Sequence, residues 1–315
     1  MSSIAYVTER KMIEYHRVNG NRSLNFWRPS ATIRFSDFHK GDLLFFLAKG
    51  TEKGKGANRE KGIVGYGKYV DGEILPPTLA WKRYQTKNGY STKDEFFDVI
   101  MKASKDKELP ENISCLHLSD VVFFQAPIYL SEIGVQISNN VESYIYLDKD
   151  DDSATIQILE KAKDVGIDLW SLSFDDHEED DVFEYAQKYE VVGRICTFLN
   201  DEKLSEREEK QLHKIAYKYV VDHENDDIDF IKGSKTDLCS ITSNEIKIYS
   251  PLLNINKDKI QRIQKLIGKL SSYKALLEID PYSRGKIEVH AIVDNELEEG
   301  LVLWIETAGI IVDIQ

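Results

Sequence analysis

The stretch Gly233 to Pro251, GSKTDLCSITSNEIKIYSP, constrains the fold more than any other part of this chain. Thr236 to Thr242 alternates as a half-buried strand does, Ser243-Asn244 is turn chemistry, and Glu245 to Tyr249 alternates again. The pattern predicts a β-hairpin. Residues two apart on a strand share a face, so Glu245 and Lys247 point one way while Ile246 and Ile248 point into a core. Asp237 is expected across the turn, within reach of Glu245. Converging carboxylates repel each other unless a cation lies between them, and hard oxygen ligands suit Mg²⁺, or Mn²⁺ in its place. A neighbouring lysine can orient an attacking water or neutralise charge on a phosphorane. Asp237, Glu245 and Lys247 are therefore candidate catalytic residues, with Asp237 and Glu245 as the metal ligands. Chance is the competing explanation, since ordinary composition supplies about one or two Glu-x-Lys triplets in a chain this rich in both residues. Glu208-Glu209-Lys210 has the same spelling in a helical stretch, where i and i+2 diverge.

Downstream, Ile260, Ile263, Ile267 and Leu270 recur at helical spacing within residues 257–279. Lys286 to Val293 reads as a strand, Glu296 to Thr307 as a helix, and Ile310 to Ile314 as a last strand. The expected order is β-β-α-β-α-β. With Tyr273 opening the run YKALLE, residues 204–315 resemble the PD-(D/E)xK nuclease core, in particular its recombinase-B-like and mismatch-nuclease branch. The resemblance implies a restriction-endonuclease-like core, with a central mixed sheet flanked by helices, and metal-dependent hydrolysis of DNA. Two positions depart from that pattern. Lys269 stands where the branch carries a glutamine four residues before the tyrosine, and Thr236 stands where a proline precedes the aspartate.

A length of 315 residues suggests two domains, and 42% hydrophobic with 10% aromatic residues supplies material for two cores. No signal-type or membrane-length apolar run is present, so a cytoplasmic protein with no membrane partner is expected. Cys115, Cys196 and Cys239 are too scattered for a disulfide framework or a metal knuckle, and the seven histidines form no zinc-type cluster. The net charge of −13 is unevenly spread. Met1 to Asp148 holds 20 Lys and Arg against 18 Asp and Glu, so the acid surplus lies in the remainder. Much of it falls in Asp150-Asp151-Asp152 and in the run from Asp175 to Asp181, read as solvated spacer.

The N-terminal half opens on Leu24 to Ser30 (LNFWRPS), an aromatic and basic turn, followed by the buried-strand run Gly41 to Ala48. Gly50 to Gly62 is rich in glycine and base, then Ile63 to Val70 reads as a strand. This loop lacks the Gly-Lys-Ser/Thr ending of a phosphate-binding loop. It is either a hairpin tip or a clamp on DNA through Lys53, Lys55, Arg59 and Lys61. NFWRPS, GDLLFFLAKG, IVGYG, LPPTLAW and LSDVVFF resemble the N-terminal domain of certain bacterial HNH restriction endonucleases over about residues 10–148. Those domains are similar to the PUA, EVE and SRA group of small β-barrels, which implies a reader of modified bases. Such a reader needs rings that stack on a flipped base and cations that hold the backbone. Trp27 and Trp81, with Tyr84, are the candidate stacking residues, and Arg28, Lys82 and Arg83 the candidate phosphate contacts. The competing reading, that both tryptophans are barrel core, carries the greater weight, because aromatic side chains are mostly packing material.

These readings give an α+β chain of two domains: a PUA/EVE-like reader at 1–148, an acidic helical linker at 149–203 and a PD-(D/E)xK domain at 204–315. The expected function is Mg²⁺-dependent endonucleolytic cleavage of double-stranded, modified DNA in defence, by a homodimer. A structure-specific repair nuclease, or a DNA-binding protein with an inactive nuclease fold, remains the alternative.

Overall fold

The computed structural model describes residues 2–33, 35–54, 59–135, 141–149, 153–172, 179–200, 204–224, 226–253, 258–293 and 297–315. The chain is α+β and divides into two compact units, Met1–Asp180 and Asp181–Gln315, each built on its own mixed sheet. Among the described residues no helix is long and apolar enough to cross a membrane.

The first unit contains β1 (Ile4–Thr8), α1 (Arg10–Val18), β2 (Leu24–Arg28), β3 (Leu43–Lys53), β4 (Glu60–Leu75), α2 (Pro77–Tyr84), α3 (Lys93–Ala103), β5 (Ile113–Ile128), β6 (Tyr144–Tyr146), α4 (Ala154–Val165) and α5 (Leu169–Leu172). The strand order is β2-β5-β4-β3-β1-β6, with β1 parallel to β3 and the other pairs antiparallel. On a flat sheet β2 and β1 would lie four strand spacings apart, about 19 Å. Yet the Phe26 ring of β2 meets the Tyr6 ring of β1 at 5.0 Å, so the sheet is rolled around an aromatic interior. Phe46 and Phe123 continue that interior, at 6.3 Å from Phe26 and 5.9 Å from one another respectively. Register shifts in the β3–β4 and β4–β5 ladders supply the bending. One of them falls at Gly65, where a Cβ would lie 2.2 Å from the Val122 carbonyl oxygen. α3 is capped by Thr92, whose hydroxyl accepts from Glu95 N. Residues 149–203 contribute α4 to this unit, with Ile158, Leu159 and Ala162 fully buried, and supply most of α6 to the second.

The second unit contains α6 (Glu179–Leu199), α7 (Glu206–Asp222), β7 (Asp229–Phe230), β8 (Leu238–Ile241), β9 (Glu245–Pro251), α8 (Lys259–Ile279), β10 (Lys286–Val293), α9 (Glu299–Thr307) and β11 (Ile311–Ile314). From β8 onward the order is the β-β-α-β-α-β read from the sequence. The sheet runs β11-β10-β9-β8-β7, with β9, β10 and β11 parallel and β8 antiparallel to β9. Ile246 and Ile248 are fully buried, as alternation requires. Ser205 and Glu208 cap α7 reciprocally, and Glu208 also accepts from Arg262 at 2.6 Å. Those hydrogen bonds, from Ser205 first and then Arg262, lower the Glu208 carboxyl to about 2. Glu208 is therefore committed to the cap and its ion pair.

Candidate functional site

Hairpin register decides what the β8–β9 pair can do. Thr242 N donates to the Glu245 carbonyl across Ser243-Asn244, which sets Ser240 opposite Lys247 and Leu238 opposite Tyr249. Asp237 consequently faces Ser250, whose hydroxyl donates to it at 2.5 Å. Glu245 stands at the turn, five positions away along the strand, about 17 Å at ordinary strand rise. Cross-strand partners share a face, so Asp237 also lies on the sheet face opposite to Lys247. The expectation that Asp237 and Glu245 hold one ion together is corrected on both counts.

Asp237 is instead the centre of a buried polar cluster, 1% exposed. Its carboxylate accepts from Ser250 Oγ, from Lys269 Nζ at 2.6 and 2.7 Å, from Tyr273 Oη at 3.2 Å and from Asn200 Nδ2 at 3.2 Å. Burial, reinforced by the Asp237 charge, pushes the Tyr273 hydroxyl far above its usual range and the Cys196 thiol up to about 11. The lysine ammonium supplies the positive charge this carboxylate needs, and every other neighbour donates a hydrogen. A divalent ion does not fit that donor set.

The opposite face of the same sheet gathers a different constellation. Lys247 Nζ lies 3.0 Å from Glu245 Oε2 and 3.8 Å from Glu288 Oε2 on β10. Lys286 pairs with Glu245 at 3.4 Å and makes a close ion pair with Glu288. That contact with Lys286 is the main reason the Glu288 carboxyl falls below its ordinary value. Next along β10, His290 Nδ1 meets Asp313 Oδ2 at 3.0 Å, and Tyr219 Oη donates to the same oxygen at 2.9 Å. Burial alone would raise the Asp313 carboxyl, but hydrogen bonds from His290 and Tyr219 hold it below its ordinary value. Gly285 brings β10 in beside the turn, since a Cβ there would lie 2.4 Å from the Asn244 carbonyl oxygen. Glu245 and Lys247 thus lie on one face 3.0 Å apart, joined there by Glu288 and not by Asp237. The sequence reading passes over Glu288, His290 and Asp313, although alternation in Lys286-Ile-Glu-Val-His290 sets Lys286, Glu288 and His290 on one face. Among the described residues no three His, Cys, Asp or Glu side chains form a group able to hold a metal ion. Mg²⁺, however, needs only one or two carboxylates when water and phosphate complete its shell. Glu245 and Glu288, more exposed than Asp237, supply two carboxylates, and an ion there would displace the ammonium groups that now pair with them.

In the first unit most expected DNA contacts are occupied. Trp27 is core: it is 9% exposed, donates from Nε1 to the Asn88 carbonyl at 3.2 Å and packs edge-on against Phe96 at 5.5 Å. Its expected role in stacking a base is corrected. Trp81 is half-buried against Phe96 at 5.8 Å. Arg83 and Tyr84 both bind Glu73, Lys53 binds Glu132 at 2.9 Å, and Arg59 lies 3.7 Å from Glu52. Lys82 is exposed, and Lys55 lies outside the described residues. Arg28 of this set sits among half-buried rings. Its guanidinium carbon lies 5.5 Å from the Tyr6 ring centroid and 5.2 Å from that of Phe35, and it donates to Ser114 Oγ, Tyr6 Oη and the Thr32 carbonyl. Tyr144 stacks on Tyr6 at 5.6 Å and meets Phe35 at 5.2 Å, completing a half-buried aromatic group around it.

No family model and no curated protein matches the chain. Solved structures similar to it are ASCH proteins of Zymomonas mobilis. ASCH itself shares 11% identity at a TM-score of 0.35, covering 50% of this chain and 95% of that one. Two point mutants of that protein give 13% and 11% identity, TM-scores of 0.35 and 0.34, and coverage of 51% and 50% of this chain against 98% and 96% of theirs. At that identity and TM-score the likeness assigns neither ligand nor activity.

Proposed function

We propose that this protein acts on DNA as a Mg²⁺-dependent endonuclease, its first unit reading a modified base and its second cutting phosphodiesters in defence against foreign DNA. The observation that carries the proposal is the convergence of Glu245, Lys247 and Glu288 on one half-buried sheet face. Glu245 and Glu288 would hold the ion, and Lys247 would orient the attacking water or meet the charge that develops on the phosphorus oxygens. Bound there, Mg²⁺ supplies charge neutralisation and a more acidic water. Reading would fall to Arg28 and the rings of Tyr6, Phe35 and Tyr144, because Trp27 is committed to the core. A double-strand break then takes two copies acting together.

A second reading, a DNA-binding protein whose PD-(D/E)xK-like unit does not cut, is favoured by the Asp237–Lys269 pair. One assay separates the two. Cleavage of unmodified, methylated and hydroxymethylated duplexes is measured with Mg²⁺ for the wild type, Glu245→Gln, Lys247→Ala and Glu288→Gln, with light scattering for the assembly state. The endonuclease reading expects cleavage lost by at least 100-fold in each variant with DNA binding retained, since one electrostatic contact to the transition state carries that much. Binding without cleavage by the wild type selects the second reading.

A further inference from the structure

On β10, Glu288 and His290 face each other without a hydrogen bond between them. His290 is 8% exposed, and its Nε2 is a buried nitrogen with no hydrogen-bond partner. Asp313 Oδ2 lies 3.0 Å from Nδ1, which directs the other ring nitrogen, Nε2, toward Glu288. Glu288 Oε2 lies 3.7 Å away, beyond hydrogen-bonding distance. A cation has room to sit between the unpartnered Nε2 and the Glu288 carboxylate. Two ligand atoms bound about 2.1 Å from one ion at a tetrahedral angle lie about 3.4 Å apart, close to the separation found.

We propose that His290 Nε2 and Glu288 hold one divalent transition-metal ion of the Zn²⁺ or Mn²⁺ class, with Asp313 orienting the imidazole from behind. A carboxylate on the far ring nitrogen is the usual support of a metal-binding histidine, because it fixes the tautomer and raises ligand basicity. An imidazole ligand selects Zn²⁺ or Mn²⁺ over Mg²⁺, which prefers oxygen. Among the described residues no third His, Cys, Asp or Glu completes the set, so water or a phosphate oxygen fills the remaining positions. Lys247, 3.8 Å from the same Glu288 oxygen, must yield toward Glu245, which it already contacts at 3.0 Å. Lys286 stays on the other Glu288 oxygen. The site shares Glu288 with the proposed hydrolytic centre, yet its binding needs no DNA and no cleavage.

The test is calorimetric titration of the metal-free full-length protein with ZnCl₂ and MnCl₂, repeated with excess MgCl₂, alongside Co²⁺ absorption spectra. The expected result is one ion per chain, with affinity at least tenfold weaker in His290→Gln and in Glu288→Gln. Asp313→Asn should lose about 10- to 100-fold, the range for an orienting partner. Melting curves accompany each variant, and if His290→Gln does not fold, Glu288→Gln decides. Absent binding of either ion by the wild type, wild-type affinity in Glu288→Gln, or displacement by Mg²⁺ at equal concentration each overturns the site. A protein that binds Zn²⁺ but never cuts DNA defeats the endonuclease reading and leaves this site standing. One that cuts DNA in Mg²⁺ yet fails the titration does the reverse.

Discussion

Asp237 shows how much one residue's surroundings outweigh its identity. A carboxylate 1% exposed keeps its charge only with a compensating cation and filled hydrogen-bond positions, and Lys269, Ser250, Tyr273 and Asn200 provide both. Removing one partner strands the other, so Asp237→Ala or Lys269→Met should cost about 3–5 kcal/mol in urea unfolding. Glu245→Gln, on a more exposed ladder, should cost under about 1 kcal/mol. Equal losses would show that Asp237 is not the core of its unit. His16 gives a second expectation. Burial lowers its imidazole to about 4 from 6.5, and Asn21 Nδ2 lies 3.0 Å from Nδ1, holding that nitrogen as the acceptor. Because the folded value is depressed, the unfolded chain binds the proton first. The contribution is therefore complete above pH 6.5 and fades as pH falls toward 4, by about 3 kcal/mol over the window. Unfolding midpoints between pH 7 and 4 should fall less in His16→Gln than in the wild type, after subtraction of that variant's constant loss. Parallel curves would remove His16 from the acid response.

At the scale of elements, strands and helices of the second unit were legible because alternation and helical spacing are strong there; the pairing register was misread. Ser243-Asn244 as a two-residue turn already sets Thr242 against Glu245, and counting back along β8 sets Asp237 against Ser250. The information lies in the turn length, which fixes the register residue by residue. Lys269 was visible as a departure, but only packing of α8 on the sheet reveals which carboxylate it meets. In the first unit, Trp27 and Arg28 are adjacent on β2 and therefore point to opposite faces, Trp27 against Phe96 of α3 and Arg28, on the face of Phe26, against the half-buried rings of Tyr6 and Phe35. Sequence could not say which face was which. Gly285 tests the link from element to site, since its backbone has φ +120° and its Cα faces the Asn244 carbonyl. Gly285→Ala should destabilise the unit by about 1–3 kcal/mol and weaken any reaction at Glu245 and Glu288 by moving β10 off the turn. Unchanged melting and activity would mean the turn carries no strain.

For the whole molecule, charge sets the terms on which DNA is met. The net charge of −13 repels a polyanion, and the slightly basic N-terminal half offers fewer free cations than its composition suggests. Lys53 is matched to Glu132, Arg59 to Glu52 and Arg83 to Glu73, which leaves Arg28, exposed Lys82 and Lys61, whose ammonium donates to the Val141 carbonyl, as the expected contacts without a carboxylate ion pair among the described residues. Each phosphate neutralised contributes a slope of about −0.9 to the plot of log affinity against log salt. Two or three such contacts give a total slope of about −2 to −3, far shallower than for a protein that binds chiefly through the backbone. On the proposed function, the remaining affinity would come from a base received among Tyr6, Phe35 and Tyr144, where stacking is worth about 1–3 kcal/mol and is insensitive to salt. Fluorescence anisotropy of a labelled duplex across a range of NaCl concentrations measures the slope. Arg28→Ala should lower affinity for the preferred base while changing the slope by no more than about one unit. A steep slope in the wild type would mean that the pairs with Glu132, Glu52 and Glu73 open on DNA, and would return Lys53, Arg59 and Arg83 to the binding surface.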